Sequence, residues 1–355
     1  MLIAVVGAGM SGLSCAWLLL RDGHDVVLVS ADRLPQTTSY LAAAVWFPTA
    51  VGPPADVARW SATTYGVLAA DAAAGIPGVV MRESLVLQRG GPAEAPAPVW
   101  AGAVGHVRPA RPDELPPGYA RGLRFLAPLV EMPVYLPYLM REVMAAGARY
   151  VVRRLARLEE VLDLEPDLVV NAAGLLAGPL VGDHSMYPIR GHIVRVTNPG
   201  LVLSVRDEKH SDGRAYVHPR SQDCILGGTL EVGRWDTAPD PDTATAILKR
   251  CTDIAPQLAG CRVLESLVGL RPGRHEVRVA MEHDLLPVPV IHDYGHGGAG
   301  VTVGWGCAQD VAALVDQHAA APGRPVAAAA RPSGQGPLTG GRSARPARGQ
   351  LPGVR

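Results

Sequence analysis

Near the start of the chain, Gly7-Ala8-Gly9-Met10-Ser11-Gly12 places three glycines at the spacing G-x-G-x-x-G, and Asp32 follows twenty residues after the last of them. The chemistry open to such a set is the holding of a dinucleotide. The first glycine permits a tight turn, the second lets backbone approach a pyrophosphate, and the third lets a helix pack on a strand. A helix N-terminus then offers free N–H groups and a partial positive charge to the anion. A carboxylate just past the next strand can accept from both ribose hydroxyls. Asp25 is the competing acid, but it stands at the start of that strand, away from the ligand. The plainer alternative is a turn of small residues beside a solvated Asp32. The motif alone does not separate FAD from a nicotinamide dinucleotide. A second run, His296-Gly297-Gly298-Ala299-Gly300-Val301-Thr302, tilts the choice towards FAD, because two cradles at opposite ends of one chain suit a long bipartite cofactor.

The elements that must position these residues follow from the apolar pattern. Leu2 to Val6 reads as a buried strand, Met10 to Arg21 as a helix and Asp25 to Ser30 as a second strand, which together make a parallel crossover. Val45 to Pro117 is rich in Pro, Ala and Gly with weak periodicity, and is expected to be an irregular excursion into a second lobe. A helix is expected over Val134 to Ala146, with Pro137 tolerated in its first turn and Gly147 ending it. Strands are expected at Ala148 to Leu155 and Asp167 to Asn171. Alternation at Ile189 to Val196, Arg214 to Pro219, Cys224 to Val232 and Val263 to Arg271 predicts an antiparallel sheet that floors a substrate cavity. Pro241 to Leu258 and Cys307 to His318 read as helices, and Val288 to His292 as the strand leading into the second glycine run. From 319 to 355 the composition turns to Ala, Pro, Gly and Arg without an acid, which predicts a disordered tail.

Composition narrows the function classes. With 355 residues the chain suits two lobes, and 33 basic against 33 acidic side chains leave no field favouring nucleic acid or an anionic membrane. Cys15, Cys224, Cys251, Cys261 and Cys307 have no ligand spacing and read as reduced, buried thiols; no metal is expected. The first twenty residues lack charge, yet their three glycines and the absence of a preceding basic residue speak against a span or signal peptide.

Taken together, GAGMSGLS near the start, ADRLPQTTSYLAAAVWFP at 31–48, VNAAGLLAG at 170–178, AYVHP at 215–219, LGGT at 226–229, GLRPGR at 269–274 and YGHGGAGVTVGWGCA at 294–308 resemble the FAD-dependent D-amino-acid oxidases, the group that includes D-aspartate oxidase. The resemblance implies an α/β chain, α+β overall. Residues 1–50, 134–185 and 280–318 would form a Rossmann-like FAD-binding domain, and 51–133 and 186–279 a mainly antiparallel substrate domain. It also implies that Asp32 and Arg33 hold the adenosine ribose region and that Thr37, Thr38 and Ser39 serve the phosphates or flavin. Ala43, Ala44 and Val45 would pass beside the isoalloxazine, Leu155 would meet the adenine, and Gly297 to Thr302 would cradle the flavin's pyrimidine edge. Tyr216, Arg271 and the backbone of Gly298 would hold the substrate. On this reading a D-amino acid loses its α-hydrogen as hydride to flavin N5 and no acid–base residue is required. Arg271 is the anchor, since a guanidinium can give an α-carboxylate two parallel hydrogen bonds.

The chain also departs from the family pattern. The interval DEKHSDGRAY before Tyr216 has no second aromatic, so the lid is expected to be short and polar; Phe47 and Ala44 stand where glutamine and glycine are common. Lys209, His210 and Arg214 lie near this lid and could meet a second carboxylate, but no dedicated second cation is evident, so neutral or apolar side chains are expected. A D-aspartate, D-glutamate or glycine oxidase on the same scaffold, and a nicotinamide-dependent dehydrogenase, are the alternatives. Glu159-Glu160 and Asp207-Glu208 read as solvated pairs. His296 reads as part of the cofactor loop, and His192, His210 and His218 lack metal spacing. Expected partners are a D-amino acid and oxygen, with a homodimer compatible. The chain ends in GVR without a peroxisomal address, and a cytoplasmic location is expected.

Overall fold

The computed structural model describes residues 1–48, 51–89 and 98–320, so the expected tail lies outside the described residues from 321 onward. In chain order the strands are β1 Leu2–Val6, β2 Asp25–Ser30, β3 Ala43–Val45, β4 Val79–Gln88, β5 Val107–Pro109, β6 Arg121–Glu131, β7 Arg149–Val152 and β8 Leu168–Asn171. They continue with β9 Tyr187–Val196, β10 Ser204–Asp207, β11 Ala215–Pro219, β12 Cys224–Gly227, β13 Glu231–Val232, β14 Val263–Gly273, β15 Arg278–Glu282 and β16 Val290–Tyr294. The helices are α1 Met10–Arg21, α2 Pro54–Ala73, α3 Met132–Ala145, α4 Ala177–Val181, α5 Pro241–Ile254 and α6 Gly300–Ala320.

The first sheet runs β15-β16-β8-β1-β2-β7, parallel throughout except for the β15 edge. β1 is central. Ile3 and Val5 enter the apolar cluster shared with α1, α3 and α6, whereas Ala4 and Val6 enter the one shared with Leu158, Val161 and Leu286. A strand covered on both faces has no polar face to alternate with, which is why LIAVV is wholly apolar. α6 begins at Gly300, earlier than periodicity indicated, and also takes in Ala319 and Ala320. It runs close to α2, where a Cβ on Gly306 would lie 2.3 Å from Trp60 Cα.

The second sheet runs β13-β9-β12-β11-β10-β4-β6-β3, with β14 also paired along β9 and β5 along β6. All of its pairs are antiparallel except β10 with β4. One face is sealed by α5, whose Ile247, Cys251 and Ile254 pack with Val194, Val196, Val217 and Leu226. The alternate residues therefore face the other way: Ile189, Gly191 and Ile193 of β9, with Leu267, Gly269 and Arg271 of β14, line a cavity.

Two expectations are corrected. The stretch from Val45 to Pro117 is not irregular, for it contains α2 and β4, and β4 pairs with β6 along its whole length. The buried residues of α2, Val57, Trp60, Ser61, Thr64, Val67, Leu68 and Asp71, recur at intervals of three and four. Three of these seven, Ser61, Thr64 and Asp71, are polar, so the stripe is faint as hydrophobic periodicity. Pro137 lies in the second turn of α3, whose start at Met132 is earlier than expected, where its ring removes the bond to the Pro133 carbonyl. Burial of Tyr135, Leu136, Leu139 and Val143 holds the helix in place. Among the described residues no helix is long and apolar enough to cross a membrane.

Candidate active site

A cavity of about 460 Å³ lies between the two sheets, lined from both. On the first sheet's side, the turn between β1 and α1 is made possible by its glycines. Gly7 has φ +120° and a Cβ there would lie 2.2 Å from the Ala172 carbonyl oxygen; a Cβ on Gly12 would lie 1.9 Å from the Gly7 carbonyl oxygen. The helix cap, Gly9, contributes no side chain, and a Cβ on it would come within 2.9 Å of Ser39 Oγ. Met10 N donates to that hydroxyl at 3.1 Å. The first-turn N–H groups of a helix have no acceptor within the helix, and Gly7, Ala8, Gly9, Met10 and Ser11 all line the cavity. Bare backbone at a helix N-terminus, open to a cavity, fits a dinucleotide pyrophosphate.

Asp32, Thr37, Thr38, Ser39, Ala43, Ala44, Val45 and Leu155 also line the cavity, as do Gly297, Gly298, Gly300, Val301 and Thr302. Thr302 Oγ1 donates to the Phe47 carbonyl at 3.2 Å and ties the start of α6 to the segment after β3. Three of the expected cofactor residues, Gly12 from the glycine spacing and Arg33 and Ala299 from the resemblance, are not on the wall. Gly12 packs against Gly7, Arg33 is exposed, and Ala299 is wholly buried in a cluster with Trp60, Val303 and Cys307. Asp32 carries a partner that sequence reasoning missed: Arg154 Nη2 donates to its carboxylate at 3.0 Å. The two are 122 residues apart, and only the β2–β7 pairing brings them together.

On the second sheet's side two further glycines matter, Gly191, which no motif included, and Gly227, which stands within LGGT. Gly269 pairs with Gly191 across β14 and β9, and Tyr216 pairs with Gly227 across β11 and β12. A Cβ on Gly191 would lie 2.3 Å from Arg271 Cζ, and one on Gly227 would lie 2.3 Å from the Tyr216 hydroxyl oxygen. Arg271 and Tyr216 thus lie flat over bare backbone. Arg271 Nη1 donates to the Thr229 carbonyl at 3.1 Å. Burial raises the pKa of the Tyr216 hydroxyl, while the nearby Arg271 and Arg206 guanidiniums pull it back down. The Tyr216 ring stacks on His218 at 4.7 Å between centroids, and burial keeps that histidine's pKa well below its ordinary value.

Arg206 is the residue the sequence reading overlooked. It pairs with Tyr216 across β10 and β11 and lines the cavity. Its side chain is 12% exposed, its guanidinium lies 4.1 Å above the Phe47 ring, and its Nη1 has no hydrogen-bond partner. Burial lowers its pKa. Of the lid cations singled out by sequence, Arg214 lines the cavity but Lys209 and His210 do not. Asp207 is not solvated: its buried carboxylate accepts from Arg89 Nε at 2.6 Å, from the Tyr119 hydroxyl at 2.7 Å and from Lys209 N at 2.8 Å. His296 lines the cavity with Nε2 3.0 Å from Asp293 Oδ1 and Nδ1 3.5 Å from Ser11 Oγ, so it braces the first glycine turn from below.

Comparison with known proteins agrees with this architecture. The family model described as FAD dependent oxidoreductase, DAO, matches residues 3–314. The chain is 48% identical over 311 residues to a D-amino-acid oxidase of Rubrobacter xylanophilus, covering 87% of this chain and 94% of the relative. It is 35% identical to human D-aspartate oxidase, over 89% of this chain and 94% of that protein. The crystal structure of glycine oxidase from Geobacillus kaustophilus superposes with a TM-score of 0.73 at 19% identity, covering 89% and 94% of the two chains, which concerns the fold alone. The chain belongs to the DAO family of FAD-dependent oxidoreductases. Within that class it is an enzyme that uses FAD to oxidise D-amino acids, with a D-amino acid and oxygen as reactants.

Proposed function

We propose that the preferred substrates are D-amino acids whose side chain ends in a carboxylate. The observation that carries this reading is Arg206, a guanidinium nearly removed from water, facing the cavity, with an Nη1 that has no hydrogen-bond partner. A desolvated charge without a hydrogen-bonded counterion is costly, and an anionic ligand seated there would offset that cost. The expectation of neutral side chains rested on the family resemblance and on the lack of a dedicated second cation, and Arg206 bears on the second of these grounds. The human relative's name, D-aspartate oxidase, agrees with this preference, while the Rubrobacter name leaves it open.

In this reading Arg271 gives two N–H groups to the α-carboxylate, Tyr216 adds its hydroxyl, and the Gly298 carbonyl accepts from the neutral amine. Together they turn the Cα–H bond towards the flavin side of the cavity. Gly7 to Ser11, Asp32, Thr37 to Ser39, Ala43 to Val45, Leu155 and Gly297, Gly298, Gly300 to Thr302 would hold FAD. When bound, FAD supplies the acceptor for the α-hydrogen with its two electrons, which pass to oxygen as hydrogen peroxide; the imino acid then hydrolyses to a 2-oxo acid and ammonia. The protein's own work is positioning. The discontinuous division into cofactor and substrate domains belongs to the same proposal, supported by the two sheets meeting at the cavity.

The test is a peroxide assay with D-aspartate and D-alanine on the wild type and on Arg206→Met. Loss of a buried charge partner is worth about 2–5 kcal/mol, so the ratio of kcat/KM for D-aspartate over D-alanine should fall at least about 30-fold. A ratio that stays within about threefold of the wild type would return the preference to neutral side chains.

A further inference from the structure

Glu208 lines the cavity between the two arginines that an acidic side chain would meet. Its Oε1 lies 3.8 Å from Arg206 Nη1 and its Oε2 3.4 Å from Arg214 Nε. Both are longer than the roughly 2.7–2.9 Å of a charge-assisted hydrogen bond. The pair is therefore loose on both sides: close enough to compensate Arg206 electrostatically, too far to saturate it. We propose that Glu208 is a resident carboxylate that occupies the side-chain seat between Arg206 and Arg214 in the empty enzyme and yields it to the substrate's own carboxylate. It thereby sets how strongly acidic substrates are preferred. This inference rests on the acidic-side-chain reading above.

The backbone on either side of Glu208 is anchored, so exchange is a matter of side-chain movement alone. Upstream, Asp207 is gripped by Arg89, Tyr119 and Lys209 N. Downstream, α5 holds the lid: Arg250 donates to the carbonyls of Arg214 and Asp212 at 3.0 and 3.1 Å, and Lys249 reaches the Asp212 carboxylate at 3.0 Å. The Glu208 side chain itself remains 34% exposed and can swing towards solvent. With the seat empty it limits the penalty of a desolvated Arg206. A neutral side chain leaves it in place, whereas an anionic one must overcome its repulsion before gaining Arg206.

The experiment reads ligand binding to the FAD-loaded enzyme from the flavin's visible spectrum, without turnover. Succinate carries both carboxylates of D-aspartate, and butyrate replaces one by a methyl group. The wild type should bind succinate more tightly than butyrate. Glu208→Gln should tighten succinate at least about fivefold, the value for one unit charge at about 4 Å fully screened by water, with butyrate moving less than about twofold. KM for D-aspartate should fall in the same proportion while kcat changes little, and Glu208→Asp, which keeps the charge, should stay nearer the wild type than Gln does. Succinate binding that is unchanged or weakened in Glu208→Gln, or both ligands loosened equally, would overturn the role of Glu208. A wild type that does not distinguish succinate from butyrate would instead sink the acidic-side-chain reading on which it rests.

Discussion

Replacing Gly191 by alanine tests whether bare backbone is what lets Arg271 lie where it does. The added Cβ would stand 2.3 Å from Arg271 Cζ and Nη2 and 2.4 Å from Nη1. Carbon atoms in contact rest at about 3.5–4.0 Å, so the guanidinium must retreat by roughly 1 Å or more. The atoms displaced are the far end of a flexible side chain, so the β9–β14 pairing should survive and thermal stability should change little. Catalysis should not survive as well, because a misplacement of about 1 Å can cost on the order of 100-fold, equivalent to about 2.7 kcal/mol of barrier. The assay is kcat/KM from peroxide release, with flavin content and Tm measured on the same preparation. Activity within about threefold of the wild type would refute the placement of Arg271 as substrate anchor. A loss of activity matched by lost flavin or a collapsed Tm would refute the claim that Gly191 acts through Arg271.

Two further outcomes concern the cofactor turn and the helix core. Gly12→Ala should abolish flavin retention and lower Tm, because its Cβ would meet backbone, the Gly7 carbonyl oxygen at 1.9 Å, which cannot swing aside; a yellow, stable variant would remove Gly12 from that packing role. Asp71 is buried between α2 and α3, where it accepts from the Tyr135 hydroxyl at 3.0 Å, and burial lifts its pKa from 3.8 to about 6. The folded state thus binds this proton more tightly than the unfolded chain, so stability is greatest below pH 4 on this account and falls as pH rises towards 6, by at most about 3 kcal/mol. Asp71→Asn should lack that slope, so unfolding free energies of the two proteins should diverge between pH 4 and 6 and then run parallel; a difference that does not depend on pH would refute it.

The comparison of sequence with structure is most instructive where the two part. The glycine turn, Asp32 and the strands on either side were legible because each rests on a local requirement: backbone geometry at Gly7, and continuous apolarity in β1 and β2. α2 was not legible, since its buried stripe includes Ser61, Thr64 and Asp71, and the last two are satisfied by partners in α6 and α3, the Gly306 N–H and the Tyr135 hydroxyl. Gly191 lies in no motif and Gly227 only within LGGT, and neither sequence context gave its role, because what each accommodates is a side chain reaching it across the sheet.

What the sequence determined by itself was the class of chemistry, FAD-dependent oxidation, through a glycine turn at a helix N-terminus, a second glycine run, and a chain of motifs spread over residues 1 to about 318. These are properties of contiguous residues, and contiguous residues meet whatever the fold. Only the tertiary structure decided which cations face the cavity. Lys209, His210, Arg214 and Arg206 lie within a few residues of one another and look alike in sequence. Strand alternation on β10 turns Arg206 inward while Asp207 faces Arg89 and Tyr119, and α5 clamps the lid so that Arg214 reaches the wall and Lys209 does not. That Arg206, Glu208 and Arg214 meet at one wall of the cavity follows from strand register and packing, which chose among equals.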